Sequence, residues 1–220
     1  MAEQGSYDLS GRKLFFAIPS YDFKVTLKFA LSLAKFTSIC KEHGVQVAFG
    51  SVCGCSVVSR ARNLLVDQFL NTDCTDLLFI DADINFEPED ATLDEGEGKT
   101  LTMDSMGLVR VTRLATAFMM VKREVFETLI DAHPEWQYFD EKYAENGKTL
   151  YSIFDFKSTL KGYIGEDFLF CDRARAHGFE AWVDPTIKLG HMGITEYKGD
   201  FGNDCLYPML KPLDVKKDVA

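Results

Sequence analysis

The amino-acid sequence predicts one α/β domain whose first half is of the nucleotide-binding type. Two observations support this fold class. Short apolar runs alternate with amphipathic stretches between residues 13 and 80, in the order strand, helix, strand, helix, strand. The 220 residues are enough for one well-packed domain, and no repeat, low-complexity tract or linker divides them.

The elements of the first half are assigned from local patterns. Apolar runs bounded by turn residues indicate strands, and apolar residues at helical spacing that end at Gly44 indicate a helix. A continuous apolar run such as LLFI is typical of a parallel strand that is covered on both sides. In chain order the assignments are a strand at 13–18, a helix at 24–43, a strand at 45–49, a helix from Ser59 and a strand at 77–80.

The second half is less regular. Its acidic, glycine-containing stretch at 91–106 predicts a mobile loop, and residues 135–161 are rich in aromatic side chains. The remaining assignments are two short strands within 108–121, a helix from Lys122 to about Ala132, a strand at 149–156, a helix from about Glu166 to His177, a strand at 179–183 and a loop-like tail from Lys198.

Composition and charge limit the possible partners and compartment. The chain is 46% hydrophobic and 26% charged, as is usual for soluble globular proteins. A net charge of −10 argues against nucleic-acid binding, because phosphate contacts need clustered Lys and Arg. No apolar run approaches the roughly 20 residues of a transmembrane helix, and the polar N-terminus lacks a signal core. We therefore expect a soluble, cytoplasmic protein whose six cysteines are reduced and mostly interior.

The most informative stretch is TDLLFIDADINFEPED, residues 75–90, in which an apolar strand leads into acidic residues. Asp81 and Asp83 are two residues apart, so at a strand end they point to one side and can share a ligand. In open α/β sheets ligands bind beyond the carboxyl ends of the strands. Two carboxylates suit Mg²⁺ or Mn²⁺, which would bridge them to a diphosphate. The structural alternative is that one of the acids only caps the next turn.

Two other kinds of site place acids at similar spacing. A helix–loop–helix calcium loop needs Gly at position six and Glu at position twelve, where this chain has Phe86 and Thr92, so that interpretation fails. A haloacid-dehalogenase-type phosphatase also places D-x-D after an apolar strand and uses the first Asp as nucleophile. Here the motif follows the third strand and precedes Ile84 and Asn85 instead of a hydroxyl residue. A phosphatase with Asp81 as nucleophile therefore stays as the alternative function.

Four stretches and the segment that links them resemble the GT-A glycosyltransferases, in particular small bacterial and viral members. The stretches are FFAIPSYD, SRARNLLVDQFL, LLFIDADINFEPED and GEDFLFCDRARAHGFEAWVDPTIKLGHMG, linked by TRLATAFMMVKREVF. The resemblance implies a Rossmann-like GT-A fold with a mixed central sheet flanked by helices. It also implies one domain over residues 1–220, with a nucleotide-binding half at about 1–90 and an acceptor-binding half at about 107–200.

The implied activity is transfer of a sugar from a UDP- or GDP-sugar to a hydroxyl of a glycan or other acceptor, with Mn²⁺ or Mg²⁺ as cofactor. The implied nucleotide-sugar ligands are Pro19, Ser20, Tyr21, Arg60, Arg62, Asn63 and Asp81. The implied metal ligands are Asp83, His191 and Asp81, the last binding either metal or ribose. If the reaction inverts configuration, Asp167 is the first candidate for the base that deprotonates the acceptor, and Glu166 is the second. If it retains configuration, those two acids bind and orient the substrate.

Each of these assignments has an ordinary structural alternative. Arg60 and Arg62 could be surface charges of a helix, and His191 could be a structural histidine. Acids at a helix start also complement the helix dipole, which explains Glu166 or Asp167 without catalysis. Four aromatic residues form either a sugar-stacking wall or a core patch: Trp136, Tyr138, Phe139 and Tyr143. A nucleotide- or sugar-binding module without catalysis is a further alternative function. The segment after Asp90 is short compared with that of related domains, so the identity of the donor sugar is not defined.

Overall fold

The computed structural model of the protein describes residues 9, 11–86, 102–141, 149–160, 162–192 and 196–198. These residues form a mixed α/β fold in which a central sheet of parallel and antiparallel strands is flanked by helices. The prediction of an α/β fold with a mixed central sheet is confirmed at this level.

The helices and strands follow one another along the whole described chain. The helices are α1 Leu27–Glu42, α2 Val58–Leu70, α3 Arg123–Ala132 and α4 Glu166–Ala176, with a short 3₁₀ turn at Pro134–Trp136. The strands are β1 Lys13–Ser20, β2 Gln46–Cys53, β3 Asp76–Ile80, β4 Ile84–Phe86, β5 Thr102–Met103, β6 Val109–Val111, β7 Phe118–Lys122, β8 Gln137–Phe139, β9 Thr149–Tyr151, β10 Lys157–Thr159, β11 Gly162–Ile164, β12 Ala181–Val183, β13 Leu189–Met192 and β14 Glu196–Lys198.

The central sheet has the strand order β2-β1-β3-β7. Strand β1 is parallel to both β2 and β3, and β7 runs antiparallel to β3. Every residue of β3 is buried, as predicted for a strand covered on both sides. Because β1 and β3 are parallel neighbours, their carboxyl ends lie at the same edge of the sheet.

Alternate side chains of β1 point to opposite sides of the sheet and join two separate cores. Phe15 and Ala17 belong to the core that α2, α3 and α4 cover. Leu14 and Phe16 belong to the core on the other side, which α1 covers together with β4. Phe16 is completely buried, and burial of one such side chain contributes about 1.5–3 kcal/mol. The helices therefore hold the sheet from both sides and fix the edge at which β1 and β3 end.

Most predicted elements are present with shifted ends, and four assignments need correction. Helix α1 begins at Leu27 instead of residue 24, because the Thr26 hydroxyl accepts a hydrogen bond from the Phe29 amide and caps the helix there. The strand assigned to 179–183 is limited to β12. The loop assigned to 91–106 contains β5, which pairs with β6, while residues 91–101 lie outside the described residues.

The strand predicted at 149–156 ends at Tyr151, because side chains bind the following main chain. Arg173 donates to the carbonyl oxygens of Ser152 and Ile153, each at 2.7 Å. The amide of Asn63 is hydrogen bonded to both backbone groups of Phe154. These contacts satisfy buried main-chain groups that a strand would otherwise pair with a neighbour.

Two further observations concern the cysteines and the helices. The five cysteines within the described ranges are free, and all but Cys53 are buried; Cys205 lies outside those ranges. Among the described residues, no helix combines the length and apolar character that crossing a membrane requires.

Candidate functional site

The D-x-D acids lie in a turn that follows the carboxyl end of β3. The Asp81 amide donates to the Ala117 carbonyl at 2.9 Å, and the Ile84 amide donates back to the Asp81 carbonyl at 3.0 Å. The chain then continues as β4, which the sequence did not predict. Because β3 ends at Ile80, Asp81 and Asp83 do not lie on an extended strand, and strand alternation does not place their side chains on one side.

Arg62 is the centre of an ion-pair network behind the turn. Its guanidinium donates to both carboxylate oxygens of Asp81, at 3.1 and 3.2 Å, and its Nε donates to Glu166 Oε1 at 3.4 Å. The Arg62 side chain is 3% exposed, whereas those of Asp81 and Glu166 are 27% and 12% exposed. It also lies over the Phe79 ring, 5.4 Å from the ring centre. Arg62 thus connects α2 to the end of β3 and to the start of α4.

Two opposing effects act on the ionisation of the Asp81 carboxyl group. Burial raises the pKa of Asp81 above its ordinary value, and the hydrogen-bonded Arg62 guanidinium works against that rise. The nearby Asp83 carboxylate adds to the rise, since two negative charges repel each other. The positive charge of Arg62 therefore offsets the repulsion between the two carboxylates without any bound ion.

Asp83 and His191 form the exposed part of the site. Their side chains are 51% and 59% exposed, and His191 Nε2 lies 3.1 Å from Asp83 Oδ2. Strand β13 brings them together, because it pairs with β4 so that His191 lies opposite Ile84. The Met192 amide also donates to the Asp83 carbonyl at 2.8 Å. This pairing joins residues that are 108 positions apart in the sequence.

The predicted metal ligands are only partly brought together. Within the described residues, no group of three or more His, Cys, Asp or Glu side chains is arranged to hold a metal ion. Asp83 and His191 do present one carboxylate and one imidazole to the same exposed space, a donor pair that divalent transition metals accept. Both carboxylate oxygens of Asp81 accept hydrogen bonds from Arg62. The residues therefore fit a metal held by two protein ligands and completed by oxygen atoms from water or a substrate.

The predicted nucleotide ligands of β1 lie at the same edge of the sheet. The Ser20 hydroxyl donates to the Lys24 carbonyl at 2.9 Å, and the side chain is buried. The Gly54 amide donates to the carbonyl oxygens of Ser20 and Tyr21, each at 3.2 Å, and closes the turn after β1. Pro19 is partly buried, whereas Tyr21 is 68% exposed. Of these residues, Tyr21 presents the most accessible surface to a ligand.

Arg60 and Asn63 of α2 are bound to neighbouring parts of the protein. Both oxygens of the buried Asp140 carboxylate accept hydrogen bonds from Arg60. Asn63 is 4% exposed, and its amide donates to the Phe154 carbonyl at 2.9 Å and accepts from the Phe154 amide at 2.8 Å. In this arrangement both residues fasten α2 to the segments that follow β8 and β9, so contact with a nucleotide stays a prediction for both.

Glu166 and Asp167 form the first turn of α4, as the sequence predicted. Glu166 is held by Arg62, while Asp167 is partly exposed and its carboxylate accepts the Phe168 amide at 2.7 Å. The preceding Gly165 is the N-cap residue and has no side chain that could cap the helix. Both acids can therefore interact with the positive end of the helix dipole, and their part in catalysis stays a prediction.

The aromatic residues divide between the core and the surface. Trp136 and Tyr138 pack against the main core, and the Trp136 ring is stacked on His133 with Arg173 nearby. Phe139 is 58% exposed, and Tyr143 lies outside the described residues. Trp136 and Tyr138 thus serve the core, whereas Phe139 remains accessible.

Sequence reasoning missed Asn85, which lies between the two apolar residues of β4. Its side chain is 2% exposed, and its Oδ1 accepts a hydrogen bond from the Thr26 hydroxyl at 3.1 Å. Among the described residues no partner is found for its buried Nδ2. The available signal was a polar residue within INF, a segment that is otherwise apolar.

A separate groove of about 970 Å³ lies between β6, β7, β12 and α4. Its lining is mixed, with apolar side chains such as Met119 and Phe170 beside charged ones such as Arg110 and Arg175. None of the predicted site residues lines this groove. The volume of the groove therefore does not bear on the site at the end of β3.

Comparison with known proteins adds little to these findings. No protein-family model and no curated protein matches this chain. One solved structure that it resembles is described as "Crystal Structure of A197 from STIV", with 17% sequence identity and a TM-score of 0.43. The likeness covers 83% of this chain and 86% of that chain. At this level of similarity the comparison carries no argument about activity.

Proposed function

We propose that this chain is a metal-dependent glycosyltransferase of the GT-A type, which moves a sugar from a UDP- or GDP-sugar to a hydroxyl of a glycan or other acceptor. One observation carries the proposal. At the edge where parallel strands β1 and β3 end, Asp83 and His191 present a carboxylate and an imidazole 3.1 Å apart to solvent. The buried Arg62 network supports the turn that holds Asp83.

The location of this pair favours a nucleotide ligand. Ligands of open α/β sheets bind beyond the carboxyl ends of parallel strands. Tyr21 is exposed after β1, and Asp83 is exposed after β3. A nucleotide that lies across this edge can contact the aromatic ring at one end and bring its diphosphate to the acids at the other.

The metal of the proposal is Mn²⁺ or Mg²⁺, and Asp83 and His191 are the residues that would hold it. When bound, such an ion supplies Lewis-acid stabilisation of the negative charge that develops on the departing diphosphate. Asp81 is proposed to contact the ribose or the same ion from its position against Arg62. Arg62 keeps the turn in place and offsets the charge of the two carboxylates.

The acceptor is proposed to bind next to the start of α4. Asp167 is the first candidate for the base, because its carboxylate is partly exposed and is bound only by the neighbouring main chain among the contacts of the described residues. Glu166 is the second candidate, since Arg62 already binds its side chain. In an inverting reaction the base removes the proton of the acceptor hydroxyl as that oxygen bonds to the sugar. In a retaining reaction both acids position the acceptor.

The deciding experiment is thermal unfolding with UDP, GDP and other nucleotides, each with and without Mn²⁺. A ligand at about 100 times its Kd adds about 2.7 kcal/mol of stability. For a chain of this size that corresponds to a rise of roughly 5–10 °C in Tm. We expect one nucleoside diphosphate to give such a shift only when Mn²⁺ is present, because the ion links the diphosphate to Asp83.

Two variants make the result specific. Asp83→Ala removes the proposed ligand and should abolish the shift. Asp73→Ala, at the opposite end of β3, removes a carboxylate that is 79% exposed and should keep it. If no nucleotide gives a metal-dependent shift, the proposal is wrong. Release of nucleoside diphosphate from the donor sugar then separates an enzyme from a binding module, and a phosphorylated Asp81 would identify the phosphatase instead.

A further inference from the structure

Helix α1 has a second apolar side, which faces solvent. Its inner side packs on the sheet through buried residues such as Phe29. Leu27 and Leu31 lie on the opposite side of the helix and are 77% and 55% exposed. Ala30 and Ala34 are exposed as well, and their spacing of three and four residues places all four on one side. These four residues are the outer stripe of α1.

The turn before α1 adds two exposed apolar residues, Phe23 and Val25, which are 74% and 48% exposed. Phe23 has a φ of 63°, and among the described residues it is the one non-glycine residue with a positive φ. Bulky residues rarely adopt this conformation, and such strain persists mainly at functional sites. The Phe23 ring lies against Gly54, where an added Cβ would come within 2.9 Å of Phe23 Cζ. The ring is therefore supported on one side and open to solvent on the other.

Lysine side chains border the outer stripe on both sides. With 3.6 residues per turn, Lys28 and Lys35 lie along one border and Lys41 lies along the other. Lys24 precedes the helix, and all four lysines are exposed. Residues 21–42 contain these four lysines and two acids, Asp22 and Glu42, which gives a net charge of +2 in a chain whose net charge is −10. The outer stripe is thus an apolar surface with a local positive charge.

An anionic membrane surface matches this combination of side chains. Leucine and phenylalanine on such a helix enter the boundary between headgroups and acyl chains, about 5–10 Å deep, while lysines beside them attract anionic headgroups. Helix α1 has 16 residues and is roughly 24 Å long, so the stripe can contact a membrane along its length. A protein partner explains the lysines less well, because lysine is depleted in protein–protein interfaces.

We propose that the outer stripe of α1, together with Phe23 and Val25, binds the surface of a membrane that contains anionic lipids. The helix lies parallel to the membrane, with its leucines among the lipids and the bordering lysines at the headgroups. The turn before α1 follows the carboxyl end of β1, so binding brings the edge of the sheet that carries Asp83 and His191 close to the bilayer. The proposal does not depend on the glycosyltransferase activity.

Co-sedimentation of the full chain with lipid vesicles tests the proposal. The vesicles consist of phosphatidylcholine alone or of phosphatidylcholine mixed with phosphatidylserine. Each lysine near an anionic surface strengthens binding by about fivefold, so the mixed vesicles should bind at least about tenfold more tightly. This difference should be lost at about 1 M salt, where the Debye length is about 3 Å. Equal binding to both kinds of vesicle at low salt would overturn the proposal.

Two substitutions test the apolar stripe. Leu27→Ser and Leu31→Ser should each weaken binding to the mixed vesicles by about tenfold or more, because a buried leucine is lost. Both residues are exposed in the free protein, so Tm should stay unchanged. Met120→Ser is the matched control, since Met120 is 47% exposed on β7 and should not affect vesicle binding.

Two charge reversals test the lysines. Lys24→Glu and Lys41→Glu should each weaken binding to the mixed vesicles by about fivefold or more. Lys122→Glu is the control, because it changes the net charge by the same amount at a side chain that is 62% exposed on β7. If Lys122→Glu weakens binding as much as the other two, the attraction belongs to the whole chain, and the proposal is wrong.

Phe23→Gly separates lipid binding from folding. Glycine suits a positive φ, so this variant should unfold at the same Tm or higher, yet it should bind the mixed vesicles about tenfold more weakly. Wild-type binding by Phe23→Gly and by both serine variants of the stripe would overturn the proposal. Sedimentation velocity without lipid tests the other occupant, a second copy of the chain. A dimer that Leu31→Ser converts to a monomer, together with no binding to vesicles, would make the stripe an interface between copies and would also overturn it.

Discussion

Replacing Arg62 by methionine would remove the shared partner of two carboxylates while keeping a side chain of similar length. Arg62 is 3% exposed and donates to Asp81 and Glu166. Removal of one partner from a buried ion pair costs about 3–5 kcal/mol, because the remaining charge stays desolvated. Asp81 is 27% exposed and retains some hydration, so we expect the lower end, about 3 kcal/mol. For this chain length that corresponds to a fall in Tm of roughly 6–12 °C.

The cost of this substitution should depend on pH in a defined direction. Burial already raises the pKa of Asp81 in the folded protein, and Arg62 opposes that rise. Without Arg62 the folded-state pKa rises further above the unfolded value of about 3.9. The folded variant then takes up a proton at higher pH than the unfolded chain. The loss of stability is therefore largest near neutral pH and shrinks as the pH falls through the raised folded-state pKa.

Urea unfolding of the wild type and Arg62→Met, at pH 7.5 and again at pH 5, measures both effects. The control is Arg110→Met, which breaks the ion pair of Arg110 with Glu180 at 2.8 Å. Those two side chains are about half exposed, and surface pairs contribute about 0–1 kcal/mol. The reasoning is refuted if Arg62→Met lowers the free energy of unfolding by no more than the control does. It is also refuted if Arg62→Met lowers the free energy of unfolding by the same amount at both pH values.

Two further predictions concern contacts that hold the second half of the chain. Asn63→Leu keeps the side-chain volume but leaves the buried amide and carbonyl of Phe154 unpaired. We therefore expect the free energy of unfolding, measured in urea, to fall by about 2–4 kcal/mol. A fall of less than about 1 kcal/mol would contradict the structure. The hydrogen bond from Arg113 holds the pKa of Asp172 in the folded protein below its ordinary value. This ion pair therefore stabilises the protein at pH values above the unfolded-state pKa of Asp172, and the stabilisation is lost as the pH falls through the folded-state pKa. In Arg113→Met the Asp172 carboxyl should titrate nearer its ordinary pKa in an NMR titration, and an unchanged titration would count against the ion pair.

The elements that the sequence predicts well are those whose own residues determine them. Strand β3 is a continuous apolar run, and α2 has apolar residues at helical spacing. Strands β4 and β5 have only three and two residues, and they are strands because β13 and β6 pair with them. The β4–β13 pairing joins distant parts of the chain, so no local pattern predicts it. The β5–β6 pairing is local, but the two residues of β5 are too few to show an alternating pattern. The strand assigned to 149–156 fails for a related reason, since the side chains of Asn63 and Arg173 bind its main chain.

The sequence predicts where the candidate site lies better than it predicts which side chains pair with each other there. The run of LLFI into acids locates a site at the end of β3, and the resemblance to a family suggests that His191 lies near Asp83. The pairing of Arg62 with Asp81 depends on which side of α2 faces the sheet end. A helix pattern with arginines at 60 and 62 cannot show which of them is buried. Only the packed structure distinguishes Arg62, which is 3% exposed, from Arg60, whose side chain is 32% exposed.

The D-x-D motif therefore contains two acids with different tasks, and substitution should separate them. Asp81 is held by the buried Arg62, so Asp81→Asn leaves that cation with the 3.4 Å contact to Glu166 as its one ion pair among the described residues, beside a 3.5 Å contact to the Thr116 carbonyl, and should cost about 2–3 kcal/mol. Asp83 is 51% exposed beside His191, and Asp83→Asn should change stability by no more than about 0.5 kcal/mol.

Replacement of Asp83 should have little effect on stability but a large effect on nucleotide binding. Asp83→Asn should lose the Mn²⁺-dependent shift in Tm that a nucleoside diphosphate gives, because the exposed carboxylate is the proposed ligand. Urea unfolding of both variants, followed by the nucleotide titration, measures the two tasks on the same samples. Equal stability losses for the two variants would show that the acids share one environment. A full metal-dependent shift in Asp83→Asn would show that the ion is held elsewhere, and the proposed arrangement at the end of β3 would have to be abandoned.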